Sequence, residues 1–336
     1  MRAKDIFHAI FLVLCLVLFS SCKDKKNELY GISIDASRMV GTPAEVFSLQ
    51  HVEMFQASNS FIINLLPQLY QDSTENSFAF APFYALSYMA LDTNLNDYFV
   101  QYNSYYKLSE HSSSKARQSL HSFLEGIYSI DSTINVQTEL EYTHNDSLLL
   151  RQGFKIILHY NNDIQTKDNT LFVGENAQER KEEFLKVAGE FNVLESKHEV
   201  ICDIPVGNGN FVLSFIKPQN MSLREYISQF DEKHYINMLR EMENRRTNIS
   251  FPLINIEFEN LPLAMPQIPN SNALGVFPKA LSLSNSFHIE NIPFNASSSE
   301  TLLQNKNTEP INFNSPFVFI LRERNSNLIV YIGYYL

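Results

Sequence analysis

Nine histidines are the first residues to test for chemistry, and none stands at metal-ligand spacing from another His or from a Cys. His198-Glu199 has the opening of a zinc-protease helix but lacks the second His. No Gly-x-Ser-x-Gly elbow occurs, and nothing in the order of the Ser and His residues gathers a nucleophile with a base. The carboxylate pair Glu182-Glu183 falls in the charged run from Glu179 to Val187, which reads as the surface of a helix carrying Phe184, Leu185 and Val187. Gly207-Asn208-Gly209-Asn210 invites a phosphate-loop reading, but the third glycine and the following helix are missing, and Asn-Gly between two apolar runs reads as a hairpin. The chain therefore offers no signature for catalysis, a metal or a cofactor.

Cys22 is different, because the residues before it give it a chemistry. Arg2 and Lys4 precede an unbroken run of 11 apolar residues, Ala9 to Phe19, and then Ser20 and Ser21. A charged start, a short apolar centre and small residues at a cut site make a secretory signal over residues 1–21. The run is too short for a spanning helix, which needs about 20 apolar residues. A Cys directly after two small residues resembles a bacterial lipoprotein signal. That resemblance implies a lipid on Cys22, a polar tether over residues 22–48, and a body held outside the cytoplasm at a membrane, the outer one being expected.

Composition narrows the partners. Without Arg2, Lys4 and Asp5 the chain keeps 24 basic against 36 acidic residues, a net charge of −12. No basic patch stands out, so nucleic acid is excluded as a partner, and anionic headgroups would repel the body; membrane contact falls to the lipid. Past the signal, Cys202 is the one cysteine besides Cys22, so no disulfide framework exists. Cys202 lies in an apolar strand pattern and reads as a small buried hydrophobe. With no Trp but 26 Phe and 16 Tyr, the core is aromatic-rich.

The elements that must hold these residues follow from periodicity. Gln50 to Tyr70 repeats apolar residues at helical steps, with Pro67 expected to kink or shorten its end. Phe78 to Phe80 is a short strand, and Pro82 opens a second helix. Lys115 to Tyr128 is an amphipathic helix. Ile134 to Tyr142 alternates as a strand does, whereas Leu148 to Tyr160 is mixed. Val200 to Val206 and Phe211 to Ile216 read as strands, the second buried on both faces. Ser222 and Glu225 stand at capping-box spacing, and a short helix follows over Glu232 to Met242. Ile249 to Phe258 is a strand whose inward face flips near Leu253-Ile254, with Pro252 at a bulge or edge. Phe317 to Leu321 and Leu328 to Ile332 form a last hairpin. Helices first and mainly antiparallel strands afterwards give an α+β fold, one domain over residues 49–336.

Several segments together resemble the serpin family. Asn59 to Leu66, Glu75-Asn76-Ser77-Phe78-Ala79-Phe80-Ala81-Pro82 and Leu86 to Leu91 resemble its amino-terminal signature. Phe211 to Pro218, Phe251 to Glu257, Leu274-Gly275-Val276-Phe277, Ser282 to Ala296 and Phe313 to Ile320 resemble its later strands, and Gly333 falls where the closing hairpin has its Gly. The likeness spans Phe55 to Leu91 and Val200 to Leu336, with a shortened middle from Asn94 to Asn176 whose register stays open between two choices. It implies a serpin-like fold with large mixed and antiparallel sheets, and a protease inhibitor rather than an enzyme.

The departures bear on activity. Serpins trap a protease when an exposed loop is cut and enters the large sheet as a new strand, releasing stored strain. Here the hinge stretch starts at Ala296-Ser297-Ser298-Ser299-Glu300 and holds no Gly, and only 16 residues, Ser297 to Asn312, precede Phe313. Extended, they reach about 50 Å. Ala81 and Tyr84 replace serines that gate sheet opening in the family, Phe294 replaces a His, and the family's Trp is absent. The expectation is a serpin-like lipoprotein with lost or much reduced suicide inhibition, a binding or protective module that meets a protease or other extracytoplasmic protein through the loop 298–308, in particular Ser298, Ser299, Glu300, Thr301, Leu302, Leu303 and Gln304. That loop also reads as a plain connector. The alternative function is a working serine or cysteine protease inhibitor with a cramped loop, offering Leu302 or Leu303 to its target. An enzyme on another fold is the third reading.

Overall fold

The computed structural model describes residues 28–29, 32–33, 49–72, 77–81, 131, 136–143, 147–158, 166–207, 209–263, 280–291 and 310–336. The signal, Cys22, the helices read from Pro82 and over Lys115 to Tyr128, and the loop 298–308 lie outside these residues.

Within the stretch read as a tether, strands β1 (Glu28–Leu29) and β2 (Ile32–Ser33) pair antiparallel. Helix α1 then spans Leu49–Asp72. It runs through Pro67 instead of stopping there, because Leu65, Leu66, Leu69 and Tyr70 on both sides of the proline are buried and their packing outweighs one lost hydrogen bond. Strand β3 (Phe78–Phe80) follows.

Next come β4 (Gln137–Thr143) and β5 (Ser147–Leu158), an antiparallel pair; the segment from Leu148, mixed in pattern, is a strand. Strand β6 (Thr166–Val173) leads into β7 (Glu179–Glu195). The charged run from Glu179 to Val187 is thus strand, not helix. Its first residues alternate between exposed and half-buried, a period of two that hydropathy hides because nearly all of them are charged. What decides is pairing on both sides. β7 is hydrogen-bonded to β6 and then to β8 (Glu199–Val206) along one edge, and to β10 (Glu243–Pro252) along the other. Helix propensity is worth tenths of a kcal/mol per residue and yields to such a ladder.

β8 turns through Gly207 and Gly209, both at positive φ (57° and 90°), into β9 (Phe211–Pro218), antiparallel from Val206↔Phe211 onward. The hairpin reading holds. Helix α2 (Leu223–Gln229) opens on a capping box: Ser222 Oγ accepts from Glu225 N–H, and the Glu225 carboxylate accepts from Ser222 N–H. Helix α3 (Glu232–Glu241) is capped by Asp231. Pro252 ends β10, and after Leu253 and Ile254 strand β11 (Asn255–Leu263) begins in a different sheet. The expected flip of the inward face is this change of sheet. Strands β12 (Ala280–Asn291), β13 (Ile311–Asn312), β14 (Phe317–Glu323) and β15 (Ile329–Tyr335) complete the described chain.

Two sheets result. One runs β13-β10-β7-β8-β9-β14-β15-β3, with β6 added beside β7; the other runs β11-β12-β5-β4. Phe317, Phe319 and Leu321 of β14 face the four-stranded sheet, packing in one cluster with Phe287 and Ile289 of β12. Val318 and Ile320, on the opposite face, pack with Ile62, Leu66, Tyr226, Ile227 and Tyr235 of the three helices. The layers are therefore sheet, sheet and helices, and β8, β9, β14 and β15 are buried on both faces, as the Phe211 run implied. Cys202 is fully buried in β8 and its thiol is pushed well up, first by desolvation.

Candidate functional site

The place where this architecture could act is the seam between β5 and β12. The two strands are parallel and in continuous register over twelve residues each, from Ala280↔Ser147 to Asn291↔Leu158. Their outer neighbours, β4 and β11, are antiparallel to them. A segment folding back from Asn291 would run antiparallel to β12, and so to β5 as well. It would meet a hydrogen-bonding edge on each side if the seam parted. The chain that leaves Asn291 returns at Pro310 in the other sheet, where β13 lies parallel to β10.

The seam is shut, and two buried amides tie it from beneath. Gln152 and Asn285 are direct register partners across it. Gln152 accepts from Ala81 N–H at 2.9 Å through Oε1 and donates to Ala81 C=O at 2.9 Å through Nε2. Asn285 donates to the carbonyl of Ala79 at 2.8 Å, and its own Oδ1 accepts from the Tyr331 hydroxyl. Both strands are thereby held to residues 79–81, which leave the nine-stranded sheet at β3. Ala81, singled out because it lacks the hydroxyl expected there, has both backbone polar groups satisfied by Gln152 instead. The sequence held no signal for this clamp, since its members lie 71 and 206 residues apart.

The far end of the loop is anchored at Phe313. Its N–H donates to Ser250 C=O at 2.8 Å, its ring packs 5.2 Å from Phe215 and 5.8 Å from Phe317, and Lys217 donates to Asn312 C=O. Cys22 and all the loop residues Ser298, Ser299, Glu300, Thr301, Leu302, Leu303 and Gln304 lie outside the described residues, between or before these anchors.

On the outer face of the same sheet the structure brings together what sequence order did not. Ser286 Oγ is 2.8 Å from His288 Nε2, and Glu257 Oε1 is 3.2 Å from that same nitrogen. Two residues apart on a strand, Ser286 and His288 share a face; that spacing was the available signal. A Ser-His-acid relay needs the serine and the acid on different ring nitrogens, so this cluster does not form one. Beside it, an open cleft of about 440 Å³ is lined by Arg151, Glu257, Glu259 and Ser284 among others, next to a register shift in β11 after Phe258. Glu182, expected on a helix surface, lies half-buried on β7 and accepts from the Tyr335 hydroxyl at 2.9 Å. His198 is exposed, whereas its neighbour Glu199 is buried against Tyr226 and His234. Among the described residues, no three His, Cys, Asp or Glu side chains converge as metal ligands, and no helix is long and apolar enough to cross a membrane.

No protein-family model matches the chain, and no curated protein matches it in sequence. Solved structures do match in shape. The crystal structure of native protease nexin-1 with heparin superposes with a TM-score of 0.64 at 10% sequence identity, covering 86% of this chain and 99% of that one.

Proposed function

From the premise that the chain is a divergent serpin-fold protein of the α+β class, we propose that it is a lipid-anchored binding or protective module with lost or much reduced suicide inhibition. It is tied to a membrane, the outer one, through Cys22 and meets a protease or another extracytoplasmic protein through the loop 298–308. The observation that carries this reading is the closed seam, twelve residues long and clamped by Gln152 and Asn285 to residues 79–81.

Length supports it. Filling the seam takes twelve residues, or about 40 Å of extended chain. A cut after Leu302 or Leu303 leaves only residues 292–303 to supply both the turn out of β12 and the new strand. Such a segment fills part of the seam and breaks the two amide clamps to do it.

The second reading is an inhibitor that works with this short loop, either by partial insertion or as a rigid substrate mimic. It is favoured by the parallel seam, whose two edges match an antiparallel strand. Incubation of the signal-free protein with chymotrypsin-like, elastase-like and subtilisin-like proteases separates the two. The non-inhibitory reading expects degradation or indifference; a detergent-stable covalent adduct would falsify it. For the anchor, Cys22→Ser is expected to release the protein from membranes, and unchanged membrane association defeats that part of the proposal.

A further inference from the structure

Glu199 of β8 is buried beneath the α2–α3 helix pair, and one of its oxygens receives two groups from that pair. Tyr226 Oη of α2 donates to Oε2, and His234 Nε2 of α3 sits 2.8 Å from the same oxygen. A ring nitrogen at that distance from a carboxylate oxygen must carry a proton, so Nε2–H is fixed as the donor. Nδ1 is left as the titrating position, on a side chain that is 30% exposed. The ring packs against Tyr226 and Phe230, with centroids 5.5 Å and 5.4 Å away.

We propose that Glu199, Tyr226 and His234 form a proton-operated latch fastening the α2–α3 pair to β8, tightest when Glu199 is ionised and His234 is doubly protonated. The charged and titratable groups around His234 are Glu199 of β8 and His198 just before that strand, Tyr226 from α2, and Asp231 and Glu241 at the two ends of α3. The carboxylates dominate and favour the imidazolium. The hydrogen bond to Glu199 raises the His234 pKa against the opposing effect of burial. Burial pushes Glu199 up, but the hydrogen bonds from His234 and Tyr226 outweigh it and leave the carboxyl below its usual range.

The signs set a window. A raised histidine pKa stabilises the fold below its unfolded value, and that contribution is lost as pH rises through the folded pKa. A lowered carboxyl pKa stabilises above its unfolded value and is lost as pH falls through the folded one. The latch therefore loosens as pH rises through the His234 pKa, closes on mild acidification, and opens again in strong acid when Glu199 is protonated. Residue 235, next along α3, limits the travel. Tyr235 donates to Asn327 C=O at 3.0 Å, Asn327 Oδ1 accepts from Arg322 at 2.7 Å, and Arg322 pairs with Asp203, which is again on β8. The amino-terminal turn of α3 and the carboxyl end of α2 are what the latch frees.

The test is a proton NMR titration of the His234 ring in the intact chain, together with amide hydrogen exchange over residues 223–241. His234 is expected to titrate above the ordinary histidine value of about 6.5; titration at or below it overturns the proposal. In Glu199→Gln the His234 midpoint is expected to fall, and an unmoved midpoint overturns the pairing. His234→Gln keeps a neutral N–H for Glu199 and is expected to lose the extra protection that the helix pair gains on acidification. Retention of that gain in His234→Gln counts against the latch. If either variant fails to fold, the wild-type titration decides.

Discussion

Gly333 is held to glycine by contact. A Cβ built there would lie 2.2 Å from the Phe78 carbonyl oxygen and 2.3 Å from Cζ of Phe319, and both belong to strands that flank β15. Gly333→Ala is expected to destabilise by about 3 kcal/mol or more, since neither the backbone of β3 nor the buried Phe319 ring can yield; a chemical-denaturation midpoint within error of wild type contradicts this. Asp203 and Arg322 are a second such case. Both are buried, Ser214 Oγ donates to Asp203 Oδ1, and Arg322 donates to Asp203 Oδ2 and to Asn327. Asp203→Ala strands a buried guanidinium and is expected to cost about 3–5 kcal/mol, whereas Asp203→Leu combined with Arg322→Met should recover most of it. Equal losses in the single and double variants sink that account. These two sites also mark what the sequence makes legible. Gly333 was expected through the family resemblance, since it falls where the closing hairpin has its Gly after the matching stretch Phe313 to Ile320. The ion pair joins residues 119 apart and left no local trace.

At the scale of elements, the helical repeat from Gln50 to Tyr70 and the capped segment at Ser222 read correctly because each carries its own signal. Ser222 with Glu225 announces α2, and Ser222→Ala is expected to lower stability by about 1 kcal/mol, seen as a small drop in the thermal midpoint. β7 is the opposite. Its Glu-Arg-Lys-Glu-Glu start has helix-forming residues, and its strand state comes from β6, paired from Val173↔Glu179 to Thr166↔Lys186, and from β10, paired from Pro252↔Phe184 to Glu243↔Val193. No window within β7 contains that information. The same holds for the seam clamp. Gln152→Ala would leave the N–H and C=O of fully buried Ala81 without these partners, at about 1–3 kcal/mol for each group. Amides of β5 and β12 near residues 152 and 285 should then exchange faster. Unchanged exchange there would show that Gln152 does not hold the seam.

For the whole molecule, the order of segments was more informative than any one of them, and the α+β layering of helices over two sheets follows that order. Hydropathy could not tell which strands would be neighbours. Val200 to Val206 and Phe211 to Pro218 are adjacent in sequence and in space, but β5 and β12 pair from Ser147↔Ala280 onward, with six other described strands between them in sequence. If the seam stays shut, cutting the chain anywhere within 292–309 should leave the thermal midpoint nearly unchanged; a large rise means that a strand has entered. Opening of the other, nine-stranded sheet has a readout already built in. Cys202 sits between Val193 of β7 and Phe215 of β9, with no surface exposed and its thiol kept protonated by burial. A thiol-directed reagent can alkylate it only after those three strands separate, so the rate at which mass-mapped label accumulates on Cys202 is a stopwatch for sheet rupture under native conditions, needing no engineered probe.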